Sequence, residues 1–235
     1  MRPRLVAAAA VVAAAWTLAP AAARAHDFWV EPTGEGFAFR YGHRGGESMA
    51  LDRTKVKAIR CVEKAGATRD VLAAARFAPR EVAVTARCEA IAAFYHGGFY
   101  SLTPDGEVNL ARNQARDVVK AWESRQFAKW VATGSAVAAE PLGDELEIVP
   151  PADLAGRRVG DKVTFRVLSQ GHPVAGAVVA VNHRPLGETD SAGQIRIRLR
   201  GPDVESISAS LRRPVKTAEA DALVLEASLT FEVAR

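Results

Sequence analysis

K-V-T-F-R-V-L (Lys162–Leu168) sets Lys162, Thr164 and Arg166 against Val163, Phe165 and Val167, and Q-I-R-I-R-L (Gln194–Leu199) repeats the alternation. A strand throws successive side chains to opposite faces, so this period gives one wet face and one buried face. Glu145–Val149, Ala177–Val181, Ser206–Leu211 and Leu223–Val233 also alternate or carry β-branched residues. Turns rich in Gly and Asp separate them, among them Gly171-His172-Pro173 and Thr189–Gly193. Short strands at this spacing predict a β-sandwich over 144–235.

Toward the amino terminus the same period continues over 26–143. Phe37, Phe39 and Tyr41 share one face, with Ala38 and Arg40 on the other. Val56–Val62, Glu81–Cys88 and Ala90–Tyr95 read as further strands, and T-P-D-G (Thr103–Gly106) as a tight reversal. From Ala111 to Thr133 the pattern changes. Val118, Val119, Trp122 and Trp130 fall at helical spacing and Gly134 offers a stop, which predicts one substantial helix over about 111–133. Its two tryptophans would pack on a sheet. On such a helix Glu123 reaches Phe127 but not Arg125. The expected fold is therefore mainly β, with two β-rich domains: an N-terminal domain (26–143) carrying one helix, and a C-terminal sandwich (144–235).

Residues 1–25 read as processing information. Arg2 and Arg4 precede an apolar run from Leu5 to Leu18, and Ala23 and Ala25 stand where a signal peptidase requires small residues. Cleavage would expose His26. No cysteine follows the cut, so no lipid anchor is implied, and no later run reaches the roughly 18 apolar residues that span a bilayer. The expectation is an exported, periplasmic protein. The formal net charge of the chain is +4, and the segment 1–25 holds three arginines and no acid, leaving +1 on the remainder. Without a basic block interleaved with aromatics, nucleic acid is not an expected partner.

The two cysteines, Cys61 and Cys88, share parity with Ile59 and with Val82, Val84 and Ala86. Both sulfurs would face one core, and an oxidising compartment favours a disulfide. Closing that loop stabilises by roughly 3 kcal/mol on chain-entropy grounds.

Chemistry concentrates on histidine. A first-residue His26 offers its α-amine and ring nitrogen to one ion, and the amine's reference pKa of about 7.7–8.0 lets a metal displace its proton near neutrality. Further nitrogen must come from elsewhere. His43 in Y-G-H-R-G-G-E and His96 in F-Y-H-G-G-F-Y both end a strand beside paired glycines, which would let backbone approach a ligand closely. Asp27 and Glu47 are candidate oxygen ligands or acceptors behind them. His172 and His183 read as surface-loop residues, and Asp144, Glu145 and Glu147 as a solvated linker. No Gly-x-Ser-x-Gly elbow, Walker loop or Rossmann fingerprint occurs, which argues against hydrolase and nucleotide chemistry.

Six segments in order, A-H-D-F-W-V-E-P, G-G-F-Y-S-L-T-P-D-G-E-V-N, W-E-S-R-Q-F-A-K-W, L-G-D-E-L-E-I-V-P-P, G-H-P-V-A-G-A-V-V-A-V with its T-D-S-A-G turn, and A-S-L-T-F-E-V, carry a resemblance across nearly all of 26–235. The chain resembles exported bacterial proteins described as the periplasmic component of cobalt or nickel uptake. The turn-strand region is also similar to transthyretin-like sandwiches. The resemblance implies an immunoglobulin-like C-terminal portion, metal handling with Ni or Co as the ion (Cu or Zn also suit the donors), and an inner-membrane transporter as partner. His26, Phe28 and Trp29 match the opening motif of that group. Two other readings remain: a metal-free carbohydrate- or protein-binding sandwich, and a copper-dependent oxidative enzyme using the terminal His.

Overall fold

The alternating segments fold as strands. The computed structural model describes residues 26–46, 48–201 and 204–233; residues 1–25, on which the expected signal segment falls, and Glu47 lie outside the described residues. In chain order the strands are β1 (Asp27–Thr33), β2 (Gly36–Gly42), β3 (Val56–Val62), β4 (Thr68–Asp70), β5 (Arg76–Ala78) and β6 (Glu81–Val84). There follow β7 (Ala90–Thr103), β8 (Gly106–Val108), β9 (Lys120–Val131), β10 (Glu147–Val149), β11 (Lys162–Ser169) and β12 (His172–Pro173). The last are β13 (Val178–Val181), β14 (Arg184–Glu188), β15 (Gln194–Arg198), β16 (Val204–Pro214) and β17 (Ala222–Glu232). Among the described residues no helix is long and apolar enough to cross a membrane.

Three sheets form three layers. A nine-stranded sheet runs β14-β13-β16-β17-β9-β7-β3-β4, with β8 on β7. On one face lies the sheet β1-β2-β6-β5, and on the other β10-β11-β12 with β15 paired to β11. The first interface buries Phe28, Phe39 and Val82 against Ile59, Ile91, Tyr95 and Trp130. The second buries Ile148, Phe165 and Ile197 against Phe127, Ile207, Leu225 and Phe231. The disulfide is formed between Cys61 and Cys88, with Cα atoms 5.4 Å apart, beside the first core. β9 pairs antiparallel with β7 and parallel with β17, so a single sheet carries strands from both 26–143 and 144–235.

The segment expected as a helix over 111–133 is instead a short 3-10 turn (Arg112–Gln114) followed by strand β9. Both faces of β9 are covered: Phe127 and Val131 enter one core, Ala128 and Trp130 the other. Apolar residues then occur at both parities, and the two-residue period that marks a half-exposed strand is lost. Strand geometry also reverses the reading of Glu123. Residues two apart share a face, and Arg125 Nε donates to Glu123 Oε1 at 2.7 Å.

The junction acids are not a solvated linker either. Arg60 holds Asp144, Arg125 holds Glu145, and Lys129 Nζ lies 3.1 Å from Glu147 Oε2 with both side chains at most 5% exposed. Glu147 also accepts from the backbone N–H groups of Leu142 and Gly143. Burial holds the Lys129 ammonium below its ordinary range, with Glu147 opposing that shift.

Two stability outcomes follow. Glu147→Gln keeps the shape but strips Lys129 of its counter-charge, and the loss expected is about 3–5 kcal/mol, read as a lower urea midpoint. Cys61→Ala with Cys88→Ala is expected to cost about 3 kcal/mol by the same measurement, for a separation of 27 residues.

Candidate metal site

His26 and His43 meet because a hairpin puts them in register. β1 and β2 are joined at Gly34-Glu35, and Asp27 pairs with Gly42, so the next cross-strand step sets His26 opposite His43. Their ring centroids are 5.1 Å apart. Two imidazoles sharing one ion, with nitrogens about 2.0–2.1 Å from it, have ring centres roughly 4.5–6.5 Å apart. Tyr41 packs beside His26 at 5.5 Å.

A third histidine arrives from the far end of the chain. Asn182 and His183, at φ 48° and 62°, form the turn between β13 and β14. Paired left-handed residues match the strand twist of a tight hairpin, and Asn is among the residues that tolerate them. The His183 ring lies 6.3 Å from that of His43. Its Nε2 is 3.1 Å from the Arg44 carbonyl, its Nδ1 3.0 Å from Asp27 Oδ2. A carbonyl can only accept, so Nε2 carries a proton and Nδ1 is left to share one with Asp27. His183 thus anchors the site with both nitrogens engaged, while the rings of His26 and His43 make no such bonds among the described residues.

The electrostatics suit neutral nitrogen donors. Burial, then the charge of His43, lowers the His26 pKa, with Asp27 and Glu107 opposing. Burial raises Asp27 above the usual carboxylate range against the pull of His183, His43, His26 and Arg44. Arg44 bonds Glu31 at 3.3 Å and the Val204 carbonyl at 3.2 Å, tying the loop after β2 to β16. Asp27, Glu31, Arg44 and His183 rim a cleft of about 460 Å³ that also takes in Trp29, Ser206 and Ser208. Among the described residues, no group of three or more His, Cys, Asp or Glu stands arranged to hold a metal ion. The donors present are two imidazoles, and the third nitrogen would be the α-amine that cleavage before His26 creates.

His96 does not join this cluster. It extends from the opposite face of the nine-stranded sheet beside Phe94, and its Nε2 lies 3.0 Å from Glu123 Oε1, in a chain of ion pairs through Arg125 to Glu145. Its glycines serve packing rather than a ligand. β7 bulges between His96 and Gly98, and a Cβ on Gly97 would meet Ser124 Oγ at 2.7 Å. Glu47 is outside the described residues, and His172 is exposed on β12. The participant that sequence reading missed is His183. Only the Asn-His pair at a hairpin turn hinted at its geometry, and nothing local placed that turn beside β1.

No curated protein and no solved structure matches the chain. A family model described as a domain of unknown function, DUF4198, matches residues 23–204, from just before His26 through the hairpin that carries His183. The chain belongs to the DUF4198 family.

Proposed function

We propose that this protein, once cut before His26 and exported to the periplasm, binds one nickel or cobalt ion and passes it to an inner-membrane transporter, without catalysing a reaction of its own. The observation that carries this reading is the pairing of His26 with His43 at 5.1 Å, at the one position where processing would add an α-amine to an imidazole. Amine and two imidazoles make a borderline-soft, all-nitrogen set that suits Ni, Co, Cu and Zn. The resemblance of the opening motif selects nickel or cobalt from that group. Asp27 and His183 stand behind the ligands, where such partners fix side-chain orientation. The neutral state of His26 favoured by its surroundings lowers the proton competition a metal must overcome.

The test is native mass spectrometry of metal-stripped chain beginning at His26, titrated with each of the four ions. One retained ion per chain is expected. His26→Ala and His43→Ala should abolish it, His183→Ala should weaken it by about 10–100-fold, and His96→Ala should leave it unchanged. Failure of the unaltered chain to retain any ion overturns the proposal and turns attention to the cleft as a site for a metal-free ligand.

A further inference from the structure

Three carbonyls on the free edge of β1 accept from side chains instead of a neighbouring strand. In an extended chain the N–H and C=O of one residue point to the same side, and the side alternates along the strand. Asp27, Trp29, Glu31 and Thr33 turn toward β2, which leaves His26, Phe28, Val30 and Pro32 facing the nine-stranded sheet. Pro32 brings no N–H to that edge. Ser228 Oγ donates to the Phe28 carbonyl at 2.7 Å and Thr230 Oγ1 to the Val30 carbonyl at 2.6 Å.

Both series step by two, so the next pair in the row is Glu226 with His26. A carboxylate cannot donate to a carbonyl, and here Gln126, aligned with Glu226 across β9 and β17, supplies the donor. Gln126 Nε2 reaches the His26 carbonyl at 2.8 Å and Glu226 Oε2 at 2.6 Å. Glu226 is left with acceptor capacity and no cation. No Lys, Arg or His among the described residues forms an ion pair with it, and its other charged or phenolic neighbours are Asp27, Tyr41 and Tyr100. Burial first, and then the charge of Asp27, pushes its pKa up to about 7 against the Gln126 hydrogen bond. The group that geometry places next in the row is the His26 main-chain nitrogen.

We infer that Glu226 is the receptor for the amino terminus of the processed chain, accepting hydrogen bonds from the His26 α-ammonium and so fixing the terminal residue beside His43. The inference rests on the processing step of the proposed function and deepens its site. With a metal on the amine, two N–H bonds remain, and one of them can still donate to the same carboxylate. Glu226 acts as a positioning residue, holding the chelating amine on the side of the ring that faces His43.

A double-mutant cycle without metal tests this. One axis compares the chain beginning at His26 with the same chain carrying one extra Gly before it, which turns the His26 nitrogen into an amide. The other axis is Glu226→Gln. Intact mass of the exported protein first establishes whether the natural chain begins at His26. Urea unfolding at pH 7 should show a coupling on the order of tenfold in the equilibrium constant. The NMR titration midpoint of the His26 amine should be higher with Glu226 than in Glu226→Gln, a readout that loss of packing alone would not move. Additive effects with an unshifted amine overturn the inference, and so does a first residue other than His26. Coupling without metal uptake would sink only the metal proposal; uptake without coupling would sink only this one.

Discussion

The parallel pairing of β9 with β17 is the constraint from which the rest of the molecule follows. It joins a strand ending at Val131 to one ending at Glu232 and places both in the middle of a nine-stranded sheet. A parallel strand buried in mid-sheet must have both faces covered. The small sheet of β1, β2, β6 and β5 covers one, and the β10-β11 sheet the other. The alternation of β17 divides accordingly. Leu225, Ala227, Leu229 and Phe231 fill one core, while Glu226, Ser228 and Thr230 face β1.

That polar row anchors the candidate site. An uncovered strand edge normally invites another chain, and β1 avoids this by laying its carbonyls over hydroxyls and an amide. The arrangement fixes where β1 starts, and the start of β1 is where His26 and Asp27 stand. From the other side, the turn at Asn182-His183 and the guanidinium of Arg44 close around the same point. Polar contacts between residues some 100 to 200 positions apart therefore determine the local geometry of the first described residue. The buried Lys129–Glu147 pair serves the second interface in a comparable way, pinning the segment before β10 against β9.

Much of this was legible before any fold was seen. Val56–Val62, Lys162–Leu168 and Gln194–Leu199 fold close to the bounds their alternation implied, and in the last two one face lies in a core and the other in water. The cysteines were readable from parity, since side chains of equal parity in paired strands reach one core. The His26–His43 meeting was half legible: histidine chemistry singled out both residues, and only the hairpin register of β1 on β2 brought 26 and 43 together. The pairing of His96 with that cluster was not supportable by the same logic, because parity carries Phe94 and His96 to the face opposite Tyr95.

By itself the sequence determined the β class, the strand segments with one dry face and the disulfide partners, since period and parity are local properties of the chain. Tertiary structure alone decided that Lys120–Val131 is a strand, that Glu147 is buried with Lys129, and that His183 and Glu226 attend the start of β1. A segment covered on both sides no longer displays its period. A contact across some 200 residues depends on which sheets stack, and no local pattern records that.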